Sequence, residues 1–451
     1  MRIIKRIIDN PHYANSELDL RIEALEERIE DVREVLAYQI HYPPEKDPFI
    51  KAYAVAMLAT MDHPGPIHDF LYETMQAHPN MGSSYLVNKV RNAIQDHVYN
   101  PQGRLGVETE PPRARLQTWR QFPHDYGDPT AWVEALQGIL ADDDIATEFL
   151  IDVWARPIAS NVPERGRSLK AFAALASKLG QLGVFSVVDV GCGQNATLNQ
   201  LALGLPYDEA RIIRPGTLRP SMPDGITSAR HTRAFNSLMA EPLPLARSVG
   251  IDKYWPADSR SWSRACVYPS ELLNVQAINH YDQLTQQHHP NVAFYRGDFA
   301  NFNMGDFLQN HPGPYEIVHF SFSLYQADNI ERQEMIARAQ QITQRYIVVL
   351  DSLRIDSQDP TKLIFRNNWL DDDFPMRTVF MDVTENQPVW REVFRWRSGR
   401  CRELLLNVGR VARDASNAPQ LPLWRPLHTL ARQTYLILVV CTSVLLHSTL
   451  Q

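Results

Sequence analysis

The chain has 451 residues, 22% charged and 44% apolar, the balance of a soluble globular protein with room for one large domain or two ordinary ones. A formal net charge of −7 argues against a general nucleic-acid-binding surface. The four cysteines, Cys192, Cys266, Cys401 and Cys441, are far apart and form no CxxC pair. That argues against a zinc site or disulfide framework and fits a reducing, cytoplasmic setting.

In chain order, Met1 to Ile8 lacks the long apolar region of a secretory signal and reads as the start of a helix. Leu18, Leu20, Ile22, Leu25, Ile29, Val32 and Leu36 recur at helical spacing among Glu and Arg. Further short helices are expected at Ile50–Met61, Ile67–Met75 and Tyr85–Val98. A polar, Pro-rich stretch from Asn100 to about Pro129 reads as a loop or linker. Helices resume at Pro129–Ala141, Asp144–Trp154 and Ser168–Leu182. Residues 1–180 are therefore expected to form a helical lid or substrate-recognition region, or a surface for a homodimer.

From residue 187 strands and helices alternate. Strands are expected at Ser186–Val190, Ser248–Asp252, Val292–Arg296, Glu316–Ser321 and Arg345–Asp351. Helices are expected at Thr197–Leu203, Ser270–Gln286 and Asn329–Ile342. This pattern predicts an α/β fold: a Rossmann-like, doubly wound, mostly parallel sheet spanning 181–412. Met376–Val383 and Trp390–Val408 read as an antiparallel hairpin closing one edge of that sheet. The segment 206–246, rich in Pro, Arg and Ser, reads as an insertion able to cover a site. In the tail, 413–451, Tyr435–Leu446 is an apolar run of a dozen residues, short of the roughly 20 that span a membrane. It is expected to pack on the body, and it is the only place where membrane contact is expected.

Function centres on Val187-Val188-Asp189-Val190-Gly191-Cys192-Gly193-Gln194-Asn195-Ala196. An apolar run ends in an acid and a glycine turn follows, as where a buried strand hands over to a helix at a cofactor site. Gly191 and Gly193 allow the tight turn. Asn195 stands in the third position, where asparagine tolerates a left-handed backbone. A pyrophosphate at this turn would be repelled by Asp189, whereas the ammonium and sulfonium of S-adenosylmethionine would be attracted. Asp252, at the next strand end, is placed to take ribose hydroxyls; a strand-end cap is the alternative. Asp298 is placed to accept from an adenine amino group, and Phe299 to stack on the ring. The end of the fourth strand offers His319, Ser321, Ser323 and Tyr325 toward an acceptor, with a hydrogen-bonded core histidine the alternative for His319. No Asn-Pro-Pro-Tyr signature of amine methylases is present, which points to a small-molecule or protein acceptor. The alternatives are an NAD(P)-dependent oxidoreductase and a non-catalytic cofactor-binding module.

Several short patches together resemble one family. Trp262-Ser263-Arg264-Ala265-Cys266-Val267-Tyr268-Pro269, after Gly250-Ile251-Asp252, is similar to its W-x-R-A-C-V-[WY]-P signature. Arg296-Gly297-Asp298 matches its R-G-D. Val318-His319-Phe320-Ser321 with Tyr325 resembles its F-H-S…Y strand. Glu164-Arg165-Gly166-Arg167 resembles an E-x-G-R element upstream. The family is mainly bacterial and uncharacterised, with a core of the class I S-adenosylmethionine-dependent methyltransferase type. The resemblance covers roughly residues 130–400 and implies that fold and cofactor, without a substrate. Where the family's turn reads G-A-S-A-G-L-N, this chain has Gly191 to Asn199, closer to an ordinary methyltransferase. With the resemblance, Arg264 would pair with Asp252 or a substrate carboxylate, or lock its own loop. Trp262 and Tyr268 would wall the adenosine pocket or pack the loop onto the core.

Overall fold

The computed structural model describes residues 15–41, 47–61, 66–77, 83–99, 127–141, 146, 149, 153, 163–207, 211–214, 226–227, 229–253, 266, 284, 289–365, 376–397, 399 and 401–405. The start of the chain, most of the 100–129 stretch, nearly all of the Asp144–Trp154 and Ser270–Gln286 helices, Trp262, Arg264, Tyr268 and the 413–451 tail lie outside them. The chain divides into two compact units, Met1–Asn161 with Pro256–His280, and Val162–Trp255 with Tyr281–Gln451.

The first unit is helical: α1 (Asn15–His41), α2 (Pro48–Met61), α3 (Pro66–Ala77), α4 (Ser83–Tyr99) and α5 (Pro129–Leu140). Of the predicted stripe on α1, Ile29, Val32 and Leu36 are buried, joining Tyr53, Met57, Phe70, Val90, Ile94, Trp132 and Leu136 in one core, while the side chains of Leu18, Leu20, Ile22 and Leu25 lie outside those described. Asp128 caps α5 by accepting from the Thr130 N–H at 2.8 Å, and Pro129 occupies the first turn, where its missing donor costs nothing. Cys266 is buried in this same core, and Asn92 Nδ2 donates to its sulfur at 3.3 Å. The segment around Cys266 therefore belongs to the helical unit, a correction to its expected place beside the strand end at Asp252.

The second unit opens with a 3-10 turn (Pro163–Arg165) and α6 (Gly166–Lys178), followed by β1 (Val187–Val190) and α7 (Ala196–Ala202). Next come β2 (Arg211–Arg214), β3 (Ile226–Thr227), α8 (Ala229–Ala240), β4 (Ser248–Asp252), β5 (Val292–Arg296), α9 (Met304–Asn310) and β6 (Tyr315–Ser321). A 3-10 turn (Leu324–Gln326), α10 (Asn329–Ile342), β7 (Thr343–Ile355), β8 (Leu363–Phe365), β9 (Met376–Asp382), β10 (Trp390–Trp396) and β11 (Glu403–Leu405) complete it. The first unit thus ends before α6, so the expected boundary at 180 is corrected to the start of this unit.

One sheet runs in the order β3-β2-β11-β10-β9-β7-β6-β1-β4-β5, with β8 pairing the far end of β7. Its stretch β7-β6-β1-β4-β5 is parallel. The strand order reverses between β1 and β6, which is where ligands sit in open α/β sheets. All four residues of β1 are buried because both faces of the sheet are covered. Val187, Ile317, Val348 and Leu350 face α6, α7 and α8; Val188, Val190, Val318, Phe320 and Val349 face α9 and α10.

Two expectations change here. The hairpin β9–β10 is antiparallel as expected, but it is internal rather than at an edge. The chain turns at Gly399 and Cys401, where Cys401 has φ 54°, so the long second strand splits and β11 folds back onto β10. Then β2 and β3, from the 206–246 insertion, add to β11 and extend the sheet away from the switch point. The insertion buries Ile212 fully and packs Phe235 of α8 edge-on against Phe394 and Trp396. Four residues reading Arg-Ile-Ile-Arg suffice for a strand between β11 and β3, and its Pro-rich surroundings hide it. No described helix is long and apolar enough to cross a membrane.

Candidate functional site

The turn after β1 is built as its residue types require. Gly191, Gly193 and Asn195 have φ of 72°, 55° and 59°, so Asn195 adopts the left-handed conformation expected of it. The N–H groups of Gly191 and Cys192 both donate to the Ile251 carbonyl, at 2.8 and 3.3 Å, which folds the turn over the end of β4. Asn195 Nδ2 donates to the Ala293 carbonyl of β5 at 3.0 Å, and its Oδ1 is buried without a partner among the described residues. Gly250 makes room for this arrangement: a Cβ there would lie 1.7 Å from Asn195 Oδ1 and 2.5 Å from Cys192 Sγ.

The three predicted carboxylates have different surroundings. Asp252 Oδ2 accepts the Gly193 N–H at 2.9 Å, tying the strand end to the turn. Asp298 pairs with Lys253 Nζ at 2.8 Å and accepts the Ala300 N–H at 3.2 Å. Asp189 is 3% exposed and bonds His319 Nδ1 at 2.8 Å, the two being register partners on β1 and β6. Its partner in the structure is therefore that histidine, beneath α6 and α7. Burial, with Asp252 and then Asp189 nearby, pushes the Cys192 thiol well up.

Phe299 is not available for stacking on a ligand, a correction to its expected role. It is 3% exposed, stacked on Phe302 at 5.2 Å and edge-on to Phe320 at 5.6 Å. Its position after the Arg-Gly-Asp turn directs it into the core under α9. His319 is likewise fully buried, with Nε2 unpartnered among the described residues.

Beyond β6 the chain is strained. Phe322 has φ 55°, a conformation that bulky residues rarely adopt and that concentrates at functional sites. The Arg165 guanidinium lies 3.9 Å over its ring, and a Cβ on Gly399 would come within 2.9 Å of it. Ser323 packs against the glycine turn, since a Cβ on Gly191 would lie 2.9 Å from Ser323 Cβ. The Oγ atoms of Ser321 and Ser323 are buried without partners among the described residues, and Tyr325 meets Phe322 edge-on at 6.2 Å. Ser321, Ser323 and Tyr325 therefore gather at one strand end, while His319 points into the interior.

Residues that sequence reasoning left without a role converge here. Glu164 is ion-paired with Arg402. Gly166 fits under Tyr207, whose hydroxyl a Cβ would approach to 2.4 Å. Arg167 is fully buried and donates to the Cys401 carbonyl at 2.8 Å. Asp351 on β7 is 1% exposed. Its signal was the same as that of Asp189: an apolar run, Ile347 to Leu350, ending in an acid.

No family model and no curated protein sequence matches the chain. Among solved structures it is similar to the plantazolicin methyltransferase BpumL in complex with SAH, at 12% identity, 63% of each chain and a TM-score of 0.22. In a second BpumL complex it covers 57% of that chain, so it spans about three fifths of the length of these relatives. An O-methyltransferase family protein from Burkholderia thailandensis matches at 15% identity, over 77% of this chain and 82% of that one, with a TM-score of 0.22. The mitomycin 7-O-methyltransferase MmcR matches at 11% identity, over 76% and 83%, with a TM-score of 0.24.

Proposed function

We propose that the second unit binds S-adenosylmethionine at the β1–β6 switch point and transfers its methyl group to a small-molecule or protein acceptor. One observation carries this reading: the Gly193 N–H, which a turn of this kind would offer to a ligand phosphate, is given to the Asp252 carboxylate at 2.9 Å. A pyrophosphate there would lose that donor and meet a negative charge. A cationic, phosphate-free ligand meets attraction instead.

The residues present fit such a ligand. In this reading Asp252, at the strand end, takes the ribose hydroxyls. Asn195 Oδ1, buried beside the turn with no partner among the described residues, is an acceptor for an ammonium group. Asp298 takes the adenine amino group in this reading, in competition with Lys253. When bound, the cofactor supplies an electrophilic methyl group on a sulfonium. The chain's own contribution is to hold donor and acceptor in line and exclude water.

Calorimetric titration tests this. S-adenosylmethionine and S-adenosylhomocysteine should bind and NAD should not. Asp252→Ala should weaken S-adenosylmethionine binding at least about tenfold, the loss of one or two charge-assisted hydrogen bonds. Binding of NAD alone would instead favour the oxidoreductase, and binding without turnover on any acceptor a non-catalytic module.

A further inference from the structure

Asp351 lies within β7, where that strand runs on past the strained end of β6: the Phe322 N–H donates to the Leu350 carbonyl at 3.0 Å, one residue away. Its Oδ1 accepts the Ser352 N–H at 2.7 Å, and the Tyr325 N–H also points at the carboxylate. Its Oδ2 is buried and has no partner among the described residues. An unpaired carboxylate oxygen inside a protein is costly and is retained where something uses it.

The charges that face Asp351 come from three elements. Arg165 precedes α6, Arg332 is on α10, and Arg377 is the register partner on β9. Arg332 is held by the carbonyls of Leu324 and Tyr325, at 2.8 and 3.2 Å, and Arg377 by Glu392 at 2.6 Å. The Arg165 and Arg332 guanidiniums act on Asp351 only through space. Burial outweighs them and both backbone donors, and pushes the carboxyl up to about 7. A carboxyl poised there takes up and releases a proton at neutral pH, the property a general base needs.

Three buried oxygens without partners among the described residues, Ser321 Oγ, Ser323 Oγ and Asp351 Oδ2, thus gather at the end of β6 and on its neighbour β7, on the β6 side of the glycine turn. Resting on the methyl-transfer reading, we propose that Asp351 is the general base for a neutral hydroxyl acceptor bound beside Ser321 and Ser323. The acceptor oxygen's lone pair forms the bond to the methyl carbon as the carbon–sulfur bond breaks, its electron pair passing to sulfur. The acceptor's proton passes to the Asp351 carboxylate and from there to solvent.

The test counts protons and needs no acceptor. S-adenosylmethionine is titrated into the full chain at about pH 7 in buffers of different ionisation enthalpy. Its positive charge favours the ionised carboxylate, so binding should release up to about half a proton. S-adenosylhomocysteine, which lacks the sulfonium, should release less. Asp351→Asn, which mimics the protonated carboxyl, should still bind S-adenosylmethionine, about fivefold more weakly than wild type and without the release. Asp351→Glu should restore it, which separates proton transfer from a purely structural hold on Tyr325. Wild-type binding with the same heat in every buffer would overturn the proposal, as would undiminished release from Asp351→Asn. Failure of the wild type to bind S-adenosylmethionine would overturn the methyl-transfer reading itself, and this proposal with it.

Discussion

Gly250 illustrates how one missing side chain holds a site together. Its backbone is ordinary, yet a Cβ would strike Asn195 and Cys192 together. Gly250→Ala should therefore cost about 1–3 kcal/mol in urea unfolding and weaken cofactor binding, because the Asn195–Ala293 bond must break. Gly180 is the contrast: φ is 68° with nothing within 4 Å, so Gly180→Ala should cost only the backbone strain of about 1–2 kcal/mol and leave binding alone. Asp351 makes a prediction of opposite sign. Its folded pKa, raised from 3.8 to about 7, means that the native state holds the proton more tightly than the unfolded chain. Stability from this group is complete below about pH 4 and is lost as pH rises through about 7. Asp351→Asn removes that loss, so it should gain on wild type between about pH 4.5 and 8, by at most about 4 kcal/mol. Urea midpoints of both proteins across that range check it; a constant difference would mean that the carboxyl ionises normally.

At the scale of elements, α10 shows a start signal that works. Asp328 accepts the N–H groups of Ile330 and Glu331 at 2.8 and 2.9 Å, and Glu331 returns a bond to Asp328. Only Met335, Ala339 and Ile342 of this helix are buried, so its stability leans on the cap. Asp328→Ala should cost about 1 kcal/mol. Because Arg332 in the first turn holds the Leu324 and Tyr325 carbonyls, the same change should speed amide exchange at Tyr325. Unchanged exchange there would separate the cap from the loop. Such local signals explain what was legible in the sequence. The parallel strands are apolar runs because both faces are covered, and the turn after β1 carries its glycines in a row. The pairing of β11 with β2 was not legible, since Leu404 meets Ile212 across a long stretch of chain and each strand is short. The inward turn of Phe299 was hidden for a similar reason: its partners Phe302 and Phe320 come from different elements. A side chain's face is set by packing that no local pattern records.

At the scale of the whole chain, the two units are not consecutive in sequence. After β4 the chain leaves the sheet unit, contributes Pro256–His280 to the helical unit, and returns before β5. A reading along the chain places this segment by its neighbours Asp252 and Val292 and so assigns it to the sheet. The buried thiols test the division directly, since Cys266 belongs to one core and Cys192 and Cys401 are buried in the other unit. Asn92→Ala removes the bond to the Cys266 sulfur and leaves a cavity in the helical core. In mild urea, alkylation of Cys266 followed by peptide mass spectrometry should then quicken, while Cys192 and Cys401 keep their wild-type rates. That outcome means that the helical unit opens by itself, because a local opening exposes only the thiols inside it. Equal acceleration at all three cysteines would mean instead that the three crossings of the chain couple the units into one cooperative transition.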